Sequence, residues 1–341
     1  MMKAKVIKLV NPGLRIAILI LTFVFVYLQI LKKHDIRQWL NLLHELRLSG
    51  MMQPFSAVIF ILLIINILTE CLKWKFLILK LEKVKLNQAV TAVLSGMAVS
   101  MFLPNRAGDY LGRVFVLQQA SHIKAMLVTL IGSFSQFLAS VMVGIVAALI
   151  FAPDVIPYVS QNIWIYVGLW VVSIGIIAFL LTVYFHIGLL KILVSALFPR
   201  KKEWLMDYAD VFTLYSWADL LKILLLSLFR YFIFTTQFYL MLLVFDVHLP
   251  FLIAFMLIAL IYLLMMLIPT LTITELGIRG SVTLTVFGLY FEKTGLWNEQ
   301  LSFSVLAASS MVWLINLALP ALLGAMLSFR LRFFRKNIDH V

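Results

Sequence analysis

Two short polar stretches interrupt long apolar ones. The first reads Pro104-Asn105-Arg106-Ala107-Gly108-Asp109-Tyr110-Leu111-Gly112-Arg113, and the second Pro269-Thr270-Leu271-Thr272-Ile273-Thr274-Glu275-Leu276-Gly277-Ile278-Arg279-Gly280. Each opens with a proline able to end an apolar helix, because its ring removes an amide donor and crowds the preceding turn. Each then carries an acid, a Leu-Gly pair and an arginine four residues after the acid. Positions i and i+4 share a helix face, so the spacing predicts the ion pairs Asp109–Arg113 and Glu275–Arg279. The chemistry on offer is ionic recognition. Charges at membrane depth are expensive and by default mark a functional site. Gly- and Pro-interrupted segments in corresponding halves also mark the binding site of transporter-like folds. The bland alternative stays open: both motifs cap helices at an interface, and Gly108 and Gly112 make only a close-packing contact.

The elements that would position these residues are membrane helices. The chain has 341 residues, 63% of them apolar and 13% charged, against roughly 45–50% and about 25% in soluble domains. The apolar residues come in runs long enough to cross a bilayer. The expected spans are 14–31, 55–72, 125–151, 163–184, 221–245, 251–268, a broken segment within 271–291, and 301–328. The fold class is therefore all-α: a polytopic bundle of about eight spans with re-entrant or broken helices. The paired motifs raise an internal two-fold pseudo-symmetry. Residues 1–186 would form a first helical group, 187–220 a cytoplasmic amphipathic linker and 221–341 a second group, all in one integral membrane domain.

Charge orients the chain. Lys3, Lys5 and Lys8, then Lys73, Lys75, Lys80, Lys83 and Lys85, then Arg200, Lys201 and Lys202, and finally Arg330, Arg332, Arg335 and Lys336 mark four cytoplasmic segments, both termini included. Residues 152–162 carry no Lys or Arg and belong outside. The pattern holds if the short apolar stretch 89–103 enters the membrane and turns back, so that 89–113 is a re-entrant hairpin. A turn at that depth must be covered by protein or line a wet cavity. The first outer link runs against the rule, with Lys32, Lys33, Arg37 and Arg47 against Asp35 and Glu45; an amphipathic surface helix would relieve it. The run 14–31 is long for the apolar core of a signal peptide and is followed by Lys32-Lys33-His34 without a small-residue cleavage site, so it reads as a retained span of an inner-membrane protein.

Several classes are set aside. The net charge of +13 belongs to cytoplasmic loops and anionic lipid rather than nucleic acid. The lone Cys71 permits no internal disulfide, and His34, His44, His122, His186, His248 and His340 are scattered without metal-ligand spacing. No cofactor is implied. There is no P-loop or nucleophile elbow. Ser121-x-x-Lys124 and Lys293-Thr294-Gly295 imitate a penicillin-binding signature by chance. Arg230 in the fifth span and Glu70 near the end of the second are secondary candidates, either as intramembrane partners or as side chains snorkelling to the interface.

The sequence resembles the transmembrane region of lysylphosphatidylglycerol synthases, also described as a flippase-type domain. Leu103 to Asp109, with Arg113, looks like that family's Pro-x-Arg-x-Gly-acid-x-x-x-Arg segment, and 269–279 like its second Pro…Gly…Glu segment. Two departures stand out. The second motif is Thr-rich, with Glu275 before Gly277. The helix after the first motif has Gly132-Ser133-Phe134-Ser135-Gln136 where the family often places an Arg and an Asp. Only twelve residues follow Phe329, so the soluble aminoacyl-transfer domain of the full synthases is not expected, nor is an enzymatic activity. The resemblance implies lipid handling, with charged or glycosylated headgroups recognised.

On this reading the substrate-binding candidates are Asn105, Arg106, Gly108, Asp109, Arg113, Thr274, Glu275, Gly277 and Arg279. Arg106, Arg113 and Arg279 would neutralise a headgroup phosphate. Asp109 and Glu275 would hold those arginines or receive a cationic headgroup. The leading expectation is translocation or presentation of a phospholipid, aminoacyl-lipid or glycan-linked lipid between leaflets. The alternatives are a non-transporting scaffold for a lipid- or glycan-modifying membrane enzyme and, more weakly, a membrane-embedded transferase. A transporter needs a polar cavity between the motifs, a transferase a catalytic base facing an open cleft, and a scaffold neither.

Overall fold

The computed structural model describes residues 24, 52–103, 107–189, 207–268 and 272–327. The expected first span 14–31, the basic clusters at the two termini and Arg200 to Lys202 lie outside the described residues. Helix α1 (Met52–Ile78) is followed by α2 (Leu86–Ser100), α3 (Gly108–Val114), α4 (His122–Val155), the short α5 (Pro157–Gln161) and α6 (Ile163–Phe185). A 3₁₀ turn (Asp210–Leu214) leads into α7 (Trp217–Val244), then α8 (Phe251–Leu267), α9 (Thr272–Lys293), α10 (Glu299–Trp313), a π-helical turn (Leu314–Ala318) and α11 (Leu319–Leu327). No strand occurs among the described residues.

Among the described residues, four stretches are long and apolar enough to cross a membrane: Pro54–Ile78, His122–Val155, Ile163–Phe185 and Glu299–Leu327. A fifth joins them if Asp207–Leu214 and Trp217–Val244, bent by 77°, count as one. Helix α6 shows most clearly what surrounds them. Only Tyr184 on it is buried, while Trp164, Val171, Val172 and Phe179 are exposed. An unbroken apolar surface of this kind needs hydrocarbon around it.

Polar caps set the helix ends. Ser216 Oγ accepts from the Asp219 amide at 3.2 Å and the Asp219 carboxylate accepts from the Ser216 amide at 3.1 Å, a reciprocal cap that starts α7. Asn162 and Asn298 accept from the amides of Trp164 and Leu301 and start α6 and α10.

The stretch 89–113 does fold back on itself. Helices α2 and α3 run antiparallel with glycine at the crossing: a Cβ on Gly112 would strike the backbone of Gly96, and one on Gly108 the backbone of Val99. Small residues let two backbones meet in this way. Gly324 seats α11 equally closely on Leu94 of α2. The hairpin is thus wedged between α1 and α11 near the centre of the bundle. The segment expected to break within 271–291 is continuous: α8 stops at Leu267 and α9 runs unbroken from Thr272 to Lys293.

Helices from the two expected groups interleave. Helix α7 packs on α1 and α4, and α8 packs on α4, where Gly144 meets Leu263. The end of the 187–220 link enters the core rather than lying on a surface. Val211, Phe212 and Tyr215 are buried there, and Tyr215 donates to the Leu77 carbonyl at 2.6 Å.

Candidate functional site

Glu70 lies on the inner face of α1, and three cations converge on its carboxylate. Arg113 Nη1 donates to Oε1 at 2.7 Å. Arg230 Nη1 donates to Oε2 at 2.6 Å, and Lys73 Nζ to the same oxygen at 2.9 Å. Arg113 also closes a two-point fork on Asp109, Nε to Oδ1 at 2.8 Å and Nη2 to Oδ2 at 2.6 Å. The planar guanidinium matches a carboxylate in this geometry. Glu70, Lys73 and Arg113 are only 4%, 1% and 5% exposed. Charges so withdrawn from solvent persist because each is paired and hydrogen-bonded.

Neutral groups extend the network in both directions. Arg230 Nε donates to Asn66 Oδ1 at 2.7 Å, and Asn66 Nδ2 donates to Asn316 Oδ1 at 3.2 Å. Asn316 belongs to the π turn, a local irregularity common at functional sites. On the other side, Lys73 Nζ reaches the Gly132 carbonyl at 3.4 Å and Ser227 Oγ at 3.3 Å. Ser227 and Ser135 hydroxyls are 2.6 Å apart. The uncharged stretch after the first motif therefore serves Lys73 with a carbonyl and, through Ser135, a relayed hydroxyl.

The second motif joins from α9. Arg279 Nη2 donates to Glu275 Oε1 at 3.1 Å, so the i,i+4 pair forms here as well. Glu275 is buried, and the Arg279 Nε has no hydrogen-bond partner. Leu276 of α9 packs with Met101, at the end of α2, and with Trp313 and Leu317 in one apolar cluster. That cluster fixes the second motif beside the first.

A cavity of about 580 Å³ lies between them. Its walls include Glu70, Lys73, Asp109, Arg113, Arg230, Glu275 and Arg279, with Gln136, Tyr262 and Asn316 among the neutral groups. Among the described residues, four cations thus face three carboxylates. Such a site can hold an anion by compensating one positive charge. Arg230 lies thirteen residues into the 28-residue α7, about 20 Å along the helix at 1.5 Å per residue, so the cluster sits near the middle of that helix. Among the described residues no group of His, Cys, Asp and Glu could hold a metal ion.

Asp109, Arg113, Glu275, Arg279, Glu70 and Arg230 are brought together. Gly108 serves the hairpin crossing. Thr274 and Gly277 lie on the exposed side of α9 and do not line the cavity. Asn105 and Arg106 fall outside the described residues. Lys73, assigned from sequence to a cytoplasmic cluster, is instead buried in the site, because α1 continues to Ile78 and carries Lys73 one turn past Glu70 on the same face. Asn66, Ser227 and Asn316 were not anticipated. The available signal was periodic: Asn66, Glu70 and Lys73 are spaced i, i+4, i+7 in an apolar helix, and Ser227 and Arg230 are spaced i, i+3 in another.

A family model described as the lysylphosphatidylglycerol synthase TM region matches residues 14–324. No curated protein and no solved structure matches the chain.

Proposed function

The chain belongs to the family of the lysylphosphatidylglycerol synthase transmembrane region, and from that premise we propose that it translocates or presents a lipid between the leaflets of the inner (cytoplasmic) membrane. Membership of this family and the apolar helices make it a multi-pass membrane protein related to lipid handling. The observation that carries the finer reading is the polar cavity of about 580 Å³ shared by both interrupted motifs. A charged headgroup crossing hydrocarbon needs such a path, because unsatisfied polar groups there are costly. The hairpin α2–α3 then acts as a re-entrant element and brings Asp109 and Arg113 to mid-membrane depth. About eight spans in two pseudo-symmetric groups, with both termini cytoplasmic, accommodate the basic clusters.

A scaffold would need no charged cavity at this depth. A transferase would need a carboxylate free to act as base, yet Glu70, Asp109 and Glu275 each hold an arginine. Both features favour transport or presentation. The test is a leaflet-resolved assay in proteoliposomes with headgroup-labelled lipids. Wild-type protein should speed exchange and Glu70→Gln should not. Exchange equal to protein-free vesicles across anionic, aminoacylated and glycan-linked lipids would overturn the reading.

A further inference from the structure

Glu82 lies in the turn after α1, outside the walls of the charged cavity, yet it is tied to the hairpin that carries Arg113. Its carboxylate accepts from three consecutive backbone amides: Gln118 at 3.0 and 3.2 Å, Gln119 at 2.8 Å and Ala120 at 2.8 Å. Successive amides turned to one side make an anion-holding concavity, and hydrogen bonds to an ionised acceptor are roughly twice as strong as neutral ones. This clasp closes the base of the α2–α3 hairpin, joining the turn that enters it to the turn that leaves it.

Short hydrogen-bonded paths lead from both sides of the clasp to the buried ion pair. On one side the Glu82 amide donates to the Ile78 carbonyl at 2.9 Å, so Glu82 continues the helix that carries Glu70. On the other, the Val116 and Leu117 amides donate to the Arg113 and Val114 carbonyls at 3.4 and 3.2 Å, which closes the turn between Arg113 and Gln118. The flanking Ile78, Val84, Val114 and Leu117 are buried in one apolar cluster. Helices α1 and α3 are thus joined at two points, at Glu70–Arg113 in the cavity wall and at Glu82 outside it. Helix α3 has only seven residues, too few to be stable without tertiary support.

We propose that Glu82 is a positioning residue for the charged site: its clasp holds α3 in register with α1 and so keeps the Arg113 guanidinium on Glu70. Glu82 acts through the backbone from Arg113 to Ala120. Its role is independent of the lipid-handling reading and holds whichever molecule the cavity receives.

The experiment follows water exchange of guanidinium protons by NMR, on the full chain with isotope-labelled arginine in a neutral detergent. The Arg113 and Arg230 signals are assigned by their loss in Arg113→Gln and Arg230→Gln. In Glu82→Gln the Arg113 protons should exchange at least ten-fold faster, because α3 leaves its place. Those of Arg230, held by Asn66 and Glu70, should change by less than about two-fold. Lys124→Ala, which removes a more exposed ion pair on the first turn of α4, should leave both signals unchanged. A clasp that served stability alone would lower the unfolding midpoint without separating the two arginines. In unmodified protein the amides of 118–120 and the Arg113 guanidinium should be equally protected, as members of one cooperative opening. That arm decides the matter even if Glu82→Gln does not fold. An unchanged Arg113 signal in folded Glu82→Gln, equal changes at Arg113 and Arg230, or an equal effect of Lys124→Ala would overturn the assignment. So would amides 118–120 at least ten-fold less protected than Arg113 in unmodified protein.

Discussion

Arg113 and Arg230 share one carboxylate, each holding a different oxygen of Glu70 at 2.7 and 2.6 Å. The two arginines come from a short hairpin helix and a long helix, more than a hundred residues apart. Glu70 is therefore the joint at which α1, α3 and α7 are fixed to one another.

Glu70→Gln should be the most damaging single change in the cluster. It leaves Lys73, Arg113 and Arg230 with their charges and without their common partner. Breaking a buried pair costs roughly 3–5 kcal/mol. The unfolding midpoint in detergent should fall accordingly. A midpoint equal to wild type would mean that water, not Glu70, solvates these cations.

Asp109→Asn and Arg113→Gln should each lower stability, and the double variant should lose less than the sum of the two. Residues in direct contact couple by about 0.5–3 kcal/mol. An exposed pair would show only about 0–1 kcal/mol. All three variants should lose lipid movement. Full movement in the double variant would make the motif structural and place the site elsewhere.

Arg279 should separate binding from folding. It makes a single ion pair, at 3.1 Å, and its Nε is unpartnered. Arg279→Gln should weaken an anionic headgroup by about ten-fold, or about 1.4 kcal/mol, with a smaller loss of stability than Glu70→Gln. A large fall in the unfolding midpoint with unchanged headgroup affinity would assign Arg279 to the fold.

Orientation can be read with one engineered thiol. Cys71 is fully buried, so it should not react with an impermeant maleimide. A cysteine at Ser160, on the short α5 in the stretch without Lys or Arg, should be labelled from outside intact cells. Labelling from the cytoplasmic face alone would invert the topology and remove the re-entrant hairpin.

Hydropathy and local spacing made much of this molecule legible beforehand. The runs near 55–72, 125–151 and 163–184 match α1, α4 and α6 closely because an apolar stretch of that length has few other stable forms in a bilayer. Both acid–arginine pairs follow from i,i+4 geometry. What local reasoning could not see was non-local. Lys73 looked like one more basic residue near a helix end, and only the tertiary position of α7 shows that Ser227 and Glu70 enclose it. The junction of 187–220 with the core likewise depends on Phe212 and Tyr215 meeting residues far away in sequence.

The π turn at Leu314–Ala318 gives the last long helix two phases. One surplus residue in a helix of 3.6 residues per turn rotates everything beyond it by about 100°. Upstream of the turn, Ser309 meets Thr283 on α9; within it, Asn316 meets Asn66 on α1; beyond it, Gly324 meets the backbone of α2. A straight helix with an even winding would not keep all three appointments. Removing one residue from the turn would therefore yield a more regular helix whose far end addresses the wrong neighbour, and the hairpin carrying Asp109 and Arg113 would lose the surface against which it is seated.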